Sequence, residues 1–137
     1  MIDRRFFVSE LIAFSLSVAI LSIAFGSKSF AAALAALDKD NDGTLDLAEA
    51  KAAAATVFDK LDKDSDATLD SKEIGGRAGK TELKQADPDH DGTLTKDEYL
   101  GLVEKLFNAA DSDKDGTLTA KDLKSKAGRA LLRLIQP

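Results

Sequence analysis

Four twelve-residue stretches that share one pattern decide the fold of this chain. They read DKDNDGTLDLAE (38–49), DKDSDATLDSKE (62–73), DPDHDGTLTKDE (87–98) and DSDKDGTLTAKD (111–122). Each has aspartate at positions 1, 3 and 5, threonine at position 7 and leucine at position 8. Three have glycine at position 6, and three end in glutamate. A solvated acidic stretch would not need such fixed offsets, so the pattern indicates sites built around a hard cation.

The four stretches are numbered loops 1 to 4 along the chain. Their oxygen-bearing side chains follow the spacing of the EF-hand calcium loop. Positions 1, 3 and 5 supply carboxylates, position 7 a backbone carbonyl, position 9 a water-mediated contact, and position 12 a two-oxygen closure. The predicted ligands are Asp38, Asp40, Asp42, Thr44, Asp46 and Glu49 in loop 1, Asp62, Asp64, Asp66, Thr68, Asp70 and Glu73 in loop 2, Asp87, Asp89, Asp91, Thr93 and Glu98 in loop 3, and Asp111, Asp113, Asp115, Thr117 and Asp122 in loop 4.

The four loops differ at positions that matter for affinity. Loops 1 and 2 each offer five carboxylates, whereas loops 3 and 4 offer four because threonine replaces aspartate at position 9. Loop 2 has Ala67 where glycine is expected, and a left-handed alanine costs roughly 1 kcal/mol. Loop 4 ends in Asp122, which is one methylene shorter than glutamate. We therefore expect loop 4 to be the weakest site or the most magnesium-like.

The spacing between the loops predicts a small all-α domain. The loops begin at residues 38, 62, 87 and 111, which leaves room for a single short helix between loops 1 and 2 and between loops 3 and 4. Residues 50–61 and 99–110 both show apolar residues at helical spacing. The stretch 74–86 contains three glycines, so the chain is expected to fold back there. Loops 2 and 3 then face each other, loops 1 and 4 pair, and residues 123–135 add a last helix.

The first 31 residues differ in composition from the rest. A basic start at Arg4 and Arg5 precedes an apolar stretch, and small residues at Ser29 and Ala31 suit a cut after Ala31. This pattern predicts a secretory signal peptide over residues 1–31, with an uncleaved membrane anchor as the alternative. Residues 32–137 form the metal-binding domain. A periplasmic location follows from this reading, without stable membrane insertion after cleavage.

Composition limits the other function classes. The formal net charge is −5, which argues against nucleic acid as a partner. The chain has no cysteine and one histidine, His90, at a non-ligand position of loop 3. No catalytic constellation is visible, so we expect no enzymatic activity. A monomer that binds metal ions is the simplest reading, and the sequence leaves a periplasmic protein partner open.

Several segments resemble lanmodulin, a family of periplasmic lanthanide-binding proteins from methylotrophic bacteria. They are TVFDKLDKD (56–64), LKQADPDHDGTL (83–94), DEYLGLVEKLFNAADSDKDGTL (97–118) and AGRALLRLI (127–135). The resemblance implies a compact helical fold, ordering driven by metal, and selective binding of trivalent lanthanides over calcium. The chain departs from the family at position 2, where only Pro88 keeps the proline typical of the family.

Charge supports the same expectation independently of the resemblance. A trivalent ion gains more than a divalent ion from each added carboxylate, while the repulsion among the carboxylates is unchanged. The expected function is therefore a carrier or buffer for calcium or lanthanide ions, with up to four sites and metal-induced folding. The alternatives are a plain calcium-binding EF-hand protein and a metal-dependent protein-interaction module.

Overall fold

The computed structural model describes residues 29–137, and within them short helices alternate with two-residue strands. The elements are α1 (Phe30–Leu37), β1 (Leu45–Asp46), α2 (Leu47–Leu61), β2 (Thr68–Leu69), α3 (Ser71–Ile74), α4 (Lys80–Ala86), β3 (Leu94–Thr95), α5 (Lys96–Ala110), β4 (Thr117–Leu118), a 3₁₀ turn (Asp122–Lys124) and α6 (Lys126–Ile135). The predicted all-α class is confirmed, since the strands are only the position 7–9 segments of the loops.

The strands join the loops in two antiparallel pairs. β1 pairs with β4, which places Leu45 opposite Leu118, and β2 pairs with β3, which places Leu69 opposite Leu94. All four leucines are at most 2% exposed. Loop 1 is therefore joined to loop 4, and loop 2 to loop 3, as the spacing predicts. Each pair shares one buried leucine contact, so the conformation of one loop depends on that of its partner.

Two fifteen-residue helices, α2 and α5, support these pairs. Each begins at position 10 of one loop and ends at the residue before the next loop, so one helix connects two metal loops without a break. Their buried faces hold the aromatic residues Phe58, Tyr99 and Phe107, each at most 2% exposed. The Phe58 and Tyr99 rings meet edge to face at 5.7 Å. The aromatic stripe therefore belongs to the core, as the helical spacing predicts.

The connector between loops 2 and 3 is only partly as predicted. α3 ends after one turn because Gly75 takes the left-handed conformation, at φ 57°, and Gly76 follows at φ 80°. Gly79 does not break a helix; it precedes α4, which the glycine-rich composition does not predict. The Glu82 carboxylate accepts a hydrogen bond from the Gly79 N–H at 2.7 Å, which starts this helix.

The last helix, α6, packs against α5, α2 and the 3₁₀ turn. Leu131, Leu134 and Ile135 are at most 1% exposed. Two side chains from other elements bind the carbonyls at its C-terminal end. The Tyr99 hydroxyl donates to the Leu134 carbonyl at 2.6 Å, and the Arg77 guanidinium donates to the Arg133 carbonyl at 3.0 Å and to the Gln136 carbonyl. The loop 2–loop 3 connector and α5 thus both hold α6 in place.

The buried tyrosine gives a prediction for alkaline pH. Burial raises the pKa of Tyr99 from 10.0 to about 12. A raised pKa means that the folded state holds the proton more tightly than the unfolded state, so stability is lost as pH rises from about 10 to about 12. Because Tyr99 is the only tyrosine and tryptophan is absent, tyrosinate absorbance follows this one group.

Replacing Tyr99 with phenylalanine should lower the free energy of unfolding by about 1–2 kcal/mol, because the Leu134 carbonyl loses its donor. The substitution should also remove the part of the stability loss between about pH 10 and about pH 12 that comes from ionising Tyr99. Denaturant unfolding at pH 8 and at pH 11 measures both effects. A tyrosine pKa near 10 in the folded protein would contradict the buried hydrogen bond.

The predicted signal peptide lies almost wholly outside the described residues. Of its last three residues, Ser29 caps α1 by accepting a hydrogen bond from the Ala32 N–H at 3.2 Å, and Phe30 and Ala31 form the first turn. No helix within residues 29–137 has the length and apolar content needed to cross a bilayer.

Candidate metal sites

Each of the four loops gathers three carboxylates around one point. In every group the ligand oxygens lie within 4.8 Å of one another. The groups are Asp38, Asp40 and Glu49 in loop 1, Asp62, Asp64 and Asp66 in loop 2, Asp87, Asp89 and Glu98 in loop 3, and Asp111, Asp113 and Asp115 in loop 4. The structure therefore brings together the predicted carboxylates at positions 1 and 3 of every loop, joined by position 5 or position 12.

Backbone hydrogen bonds to the position-1 aspartate curl each loop. In loop 1 the Asp38 carboxylate accepts from the Asp42 N–H at 3.2 Å and from the Gly43 N–H at 2.8 Å. The position-7 threonine also donates hydrogen bonds to the position-5 aspartate. In loop 1 both the N–H and the hydroxyl of Thr44 donate to Asp42 Oδ1. Loops 2, 3 and 4 repeat the threonine contact. The predicted ligands are thus oriented by neighbours inside their own loop.

Left-handed backbone at position 6 explains the glycine of the motif. Gly43, Gly92 and Gly116 all have φ 86°. Ala67 occupies the same position of loop 2 at φ 66°, so loop 2 adopts the shared geometry at the steric cost expected from the sequence. Position 4 is left-handed as well, with His90 at φ 58° in loop 3, a feature that the sequence analysis missed. The His90 side chain is exposed, as predicted.

Position 9 has a second role that the sequence analysis also missed. The Asp46 carboxylate accepts a hydrogen bond from the Glu49 N–H at 2.7 Å, which caps α2, and Glu49 accepts in return from the Asp46 N–H. Asp70 caps α3 and Thr95 caps α5 in the same way. The signal was present as aspartate or threonine followed three residues later by glutamate, the capping-box spacing. Position 9 therefore positions the closing glutamate.

The closing residue separates loop 4 from loops 1 and 2. The Glu49 carboxylate reaches back across its loop to the Lys39 N–H at 2.6 Å, and Glu73 reaches the Lys63 N–H at 3.0 Å. Asp122 accepts the corresponding bond from position 9, from the Thr119 N–H at 2.9 Å and also from the Thr119 hydroxyl, but at position 2 it accepts only from the Ser112 hydroxyl, at 3.3 Å. Those bonds hold the pKa of Asp122 below its usual value, the Thr119 hydroxyl contributing most.

Asp122→Glu should therefore tighten metal binding at loop 4 by about tenfold, because the longer side chain can close the site with two oxygens. Calorimetric titration resolves the binding steps, and one step should strengthen while the other three stay unchanged. Asp97→Glu is the matched control, since it adds the same methylene at an exposed non-ligand position of loop 3. Identical steps in wild type and Asp122→Glu would show that side-chain length does not weaken loop 4.

Crowded carboxylates also alter proton affinity at position 3. The adjacent carboxyl group of Asp87 raises the pKa of Asp89, and that of Asp111 raises the pKa of Asp113. In loop 2, burial and repulsion from Asp66 raise the pKa of Asp64. Charge repulsion contributes to all three shifts, because Asp91, Asp115 and Asp66 lie close to the position-3 carboxylates of their own loops. A cation among them relieves that repulsion, so the electrostatics of the loops favour metal binding.

Loop 4 contains a buried carboxylate oxygen without a hydrogen-bond donor, which bears on whether its residues fit a metal ion. Asp111 is only 8% exposed, and its Oδ1 atom has no hydrogen-bond partner within residues 29–137. An ionised oxygen that is buried without a donor is costly. A hard cation coordinated by Asp111, Asp113 and Asp115 supplies the missing partner. Loop 4 therefore fits a metal ion despite its shorter closing residue.

The EF hand family model matches three segments of the chain, residues 30–51, 80–103 and 102–125. These segments contain loop 1, loop 3 and loop 4 with their flanking helices. The chain is an EF-hand protein. Loop 2 lies outside the matched segments, although its backbone follows the same path through Ala67. No curated protein matches this EF-hand chain significantly.

Proposed function

We propose that this EF-hand protein is a periplasmic carrier or buffer that binds trivalent lanthanides as well as calcium and becomes ordered when it binds them. The observation that supports the proposal best is the four carboxylate groups, each with its oxygens within 4.8 Å. Oxygen ligands at this density suit hard cations of calcium-like radius. The proposal has no catalytic component.

The preference for trivalent ions is inferred from charge. Loops 1 and 2 have aspartate at position 9, where loops 3 and 4 have threonine. Asp46 and Asp70 therefore add a fifth negative charge to their loops while they cap α2 and α3. That charge attracts a trivalent ion one and a half times as strongly as a divalent ion. The preference should be greatest in loops 1 and 2.

The test removes the fifth charge without removing the helix cap. Asp46→Ser and Asp70→Ser keep a side-chain oxygen that can accept the position-12 N–H, because serine is a good N-cap residue. Each substitution should weaken lanthanum binding at its own loop by about tenfold and calcium binding by about threefold to fivefold. Parallel lanthanum and calcium titrations measure the two losses.

Asp97→Ser is the matched control, because it removes an exposed negative charge of loop 3 at a non-ligand position. It should change both affinities only slightly. Equal losses for lanthanum and calcium in Asp46→Ser would favour a plain calcium-binding function. Less helix in lanthanum-loaded Asp46→Ser than in lanthanum-loaded wild type would show that serine does not replace the cap.

A further inference from the structure

The two loop pairs are covered unequally by helices. The pair of loops 1 and 4 is supported by the fifteen-residue helices α2 and α5 together with α6. The pair of loops 2 and 3 also has α3 and α4 beside it, but these helices contain only four and seven residues. Helices of this length cover little surface, and a depression remains between them and loop 3.

This α3–α4 pocket has a volume of about 580 Å³, within the ~300–1,000 Å³ range of small-molecule sites. Its apolar lining comes from Ile74 of α3, Leu83 of α4 and Leu94 of β3. Ile74 and Leu94 are each 2% exposed, so they form the floor, and Leu83 is partly buried beside it. A ligand with a hydrocarbon or aromatic body would gain free energy by covering these side chains.

Positive charge lies on the α4 side of this apolar floor. Lys80 and Lys84 line the pocket and stand one helical turn apart on α4. Both are exposed, and neither belongs to the ion pairs within residues 29–137, which are Lys51–Glu104 and Lys96–Asp59. The acidic Glu82 of the same helix is bonded to the Gly79 N–H and does not line the pocket. Two lysines at one small pocket are unexpected on a chain of net charge −5.

We propose that the α3–α4 pocket binds a small apolar anion, with its carboxylate or sulfonate between Lys80 and Lys84 and its hydrocarbon or aromatic body against Ile74, Leu83 and Leu94. The lysines supply the charge complementarity, and the pocket volume limits the size of the ligand. The pocket shares only Asp87 with the four carboxylate groups, and Asp87 and Thr93 of loop 3 form one of its walls.

Through this wall, anion binding in the pocket is coupled to metal binding at loop 3. This coupling rests on the proposed function. Asp87 is the one acidic residue among the pocket-lining residues, and it is also the position-1 ligand of loop 3. Without a cation, its charge and those of Asp89 and Asp91 repel an anion in the pocket. A cation bound at loop 3 offsets these negative charges. Metal and anion should therefore strengthen each other's binding by the same factor.

Fluorescence titration with 8-anilinonaphthalene-1-sulfonate, an apolar sulfonate, tests the proposal on the lanthanum-loaded protein. The neutral N-phenyl-1-naphthylamine has the same aromatic body without the sulfonate. Lys80→Gln/Lys84→Gln should weaken sulfonate binding about fivefold, as expected for two exposed charge contacts, and leave the neutral probe unchanged. The control Lys60→Gln/Lys124→Gln removes the same charge at exposed positions elsewhere and should leave both probes unchanged.

Leu83→Gln should weaken both probes, because it removes apolar lining. Equal sulfonate affinity in the two double-lysine variants, or unchanged binding of both probes in Leu83→Gln, would overturn the proposal. Circular dichroism during lanthanum addition is recorded separately. A protein that binds the sulfonate through Lys80 and Lys84 without binding lanthanum would refute the proposed function and leave the pocket standing. A protein that binds lanthanum with no lysine-dependent sulfonate binding would refute the pocket alone.

Discussion

Gly128→Ala should lower the free energy of unfolding by about 3 kcal/mol, the upper end of what overpacking a core usually costs. A Cβ at Gly128 would lie 2.4 Å from the Asp122 carbonyl oxygen and 2.5 Å from Leu123 Cα. Both are backbone atoms, so no flexible side chain can move to make room. Either α6 shifts away from the 3₁₀ turn or the turn itself moves. Because that turn begins with the closing residue of loop 4, metal binding at loop 4 should weaken as well.

The chain contains a matched control for this substitution. Gly101 lies inside α5, and a Cβ there would have no atom within 4 Å. Gly101→Ala should raise the free energy of unfolding by about 1 kcal/mol, because alanine is the better helix former. Urea unfolding of the lanthanum-loaded variants measures both effects. Equal stability of Gly128→Ala and wild type would show that α6 is not packed against the loop 4 turn.

Short-range sequence patterns predicted much of the fold, because the loop motif fixes its own backbone. The glycine of position 6 required left-handed φ, and the leucine of position 8 required a partner strand, so the pairing of Leu45 with Leu118 followed from loop spacing. α4 could not be predicted from composition, since three glycines precede it and its first turn is capped by a hydrogen bond from the Gly79 N–H to the Glu82 carboxylate. The contacts of Arg77 and Tyr99 with α6 are long-range and leave no local pattern.

The candidate sites, like the fold, were predicted only in part. The position-1 and position-3 aspartates of every loop lie together as predicted, because the loop length alone determines their meeting point. Position 9 was predicted as a water-mediated ligand, and the structure places Asp46 at the N-cap of α2. One side chain can serve both roles, because the cap uses a single carboxylate oxygen. The burial of Asp111 could not be predicted from the motif, since the position-1 aspartates of loops 2 and 3 are only half-buried.

Lanthanum binding should raise the free energy of unfolding by more than any of the single substitutions lowers it. A ligand at about a thousandfold excess over its Kd contributes about 4 kcal/mol per site, and the chain has four loops. The metal-free protein carries repelling carboxylates in every loop, so it should lose much of its helix. Far-UV circular dichroism and urea unfolding, with and without lanthanum, measure the difference.

Position-1 asparagines provide the control for this stabilisation. Substituting Asp38, Asp62, Asp87 and Asp111 together with asparagine keeps an oxygen that can accept the position-6 N–H, while it removes one charge from each site. This variant should gain helix in the absence of metal, because repulsion is reduced, and should gain little more when lanthanum is added. A metal-free wild type that is already fully helical would contradict the proposal that metal orders the chain.

The central claim is tested most directly by titrating lanthanum into the wild-type protein in the presence of about a hundredfold excess of calcium, with far-UV circular dichroism and calorimetry as readouts. We expect lanthanum to displace calcium despite that excess, which requires a preference of at least about 2.7 kcal/mol per site, with the tightest steps assigned to loops 1 and 2 by their weakening in Asp46→Ser and Asp70→Ser. If calcium at this excess prevents lanthanum from binding, the proposed preference for trivalent ions is wrong.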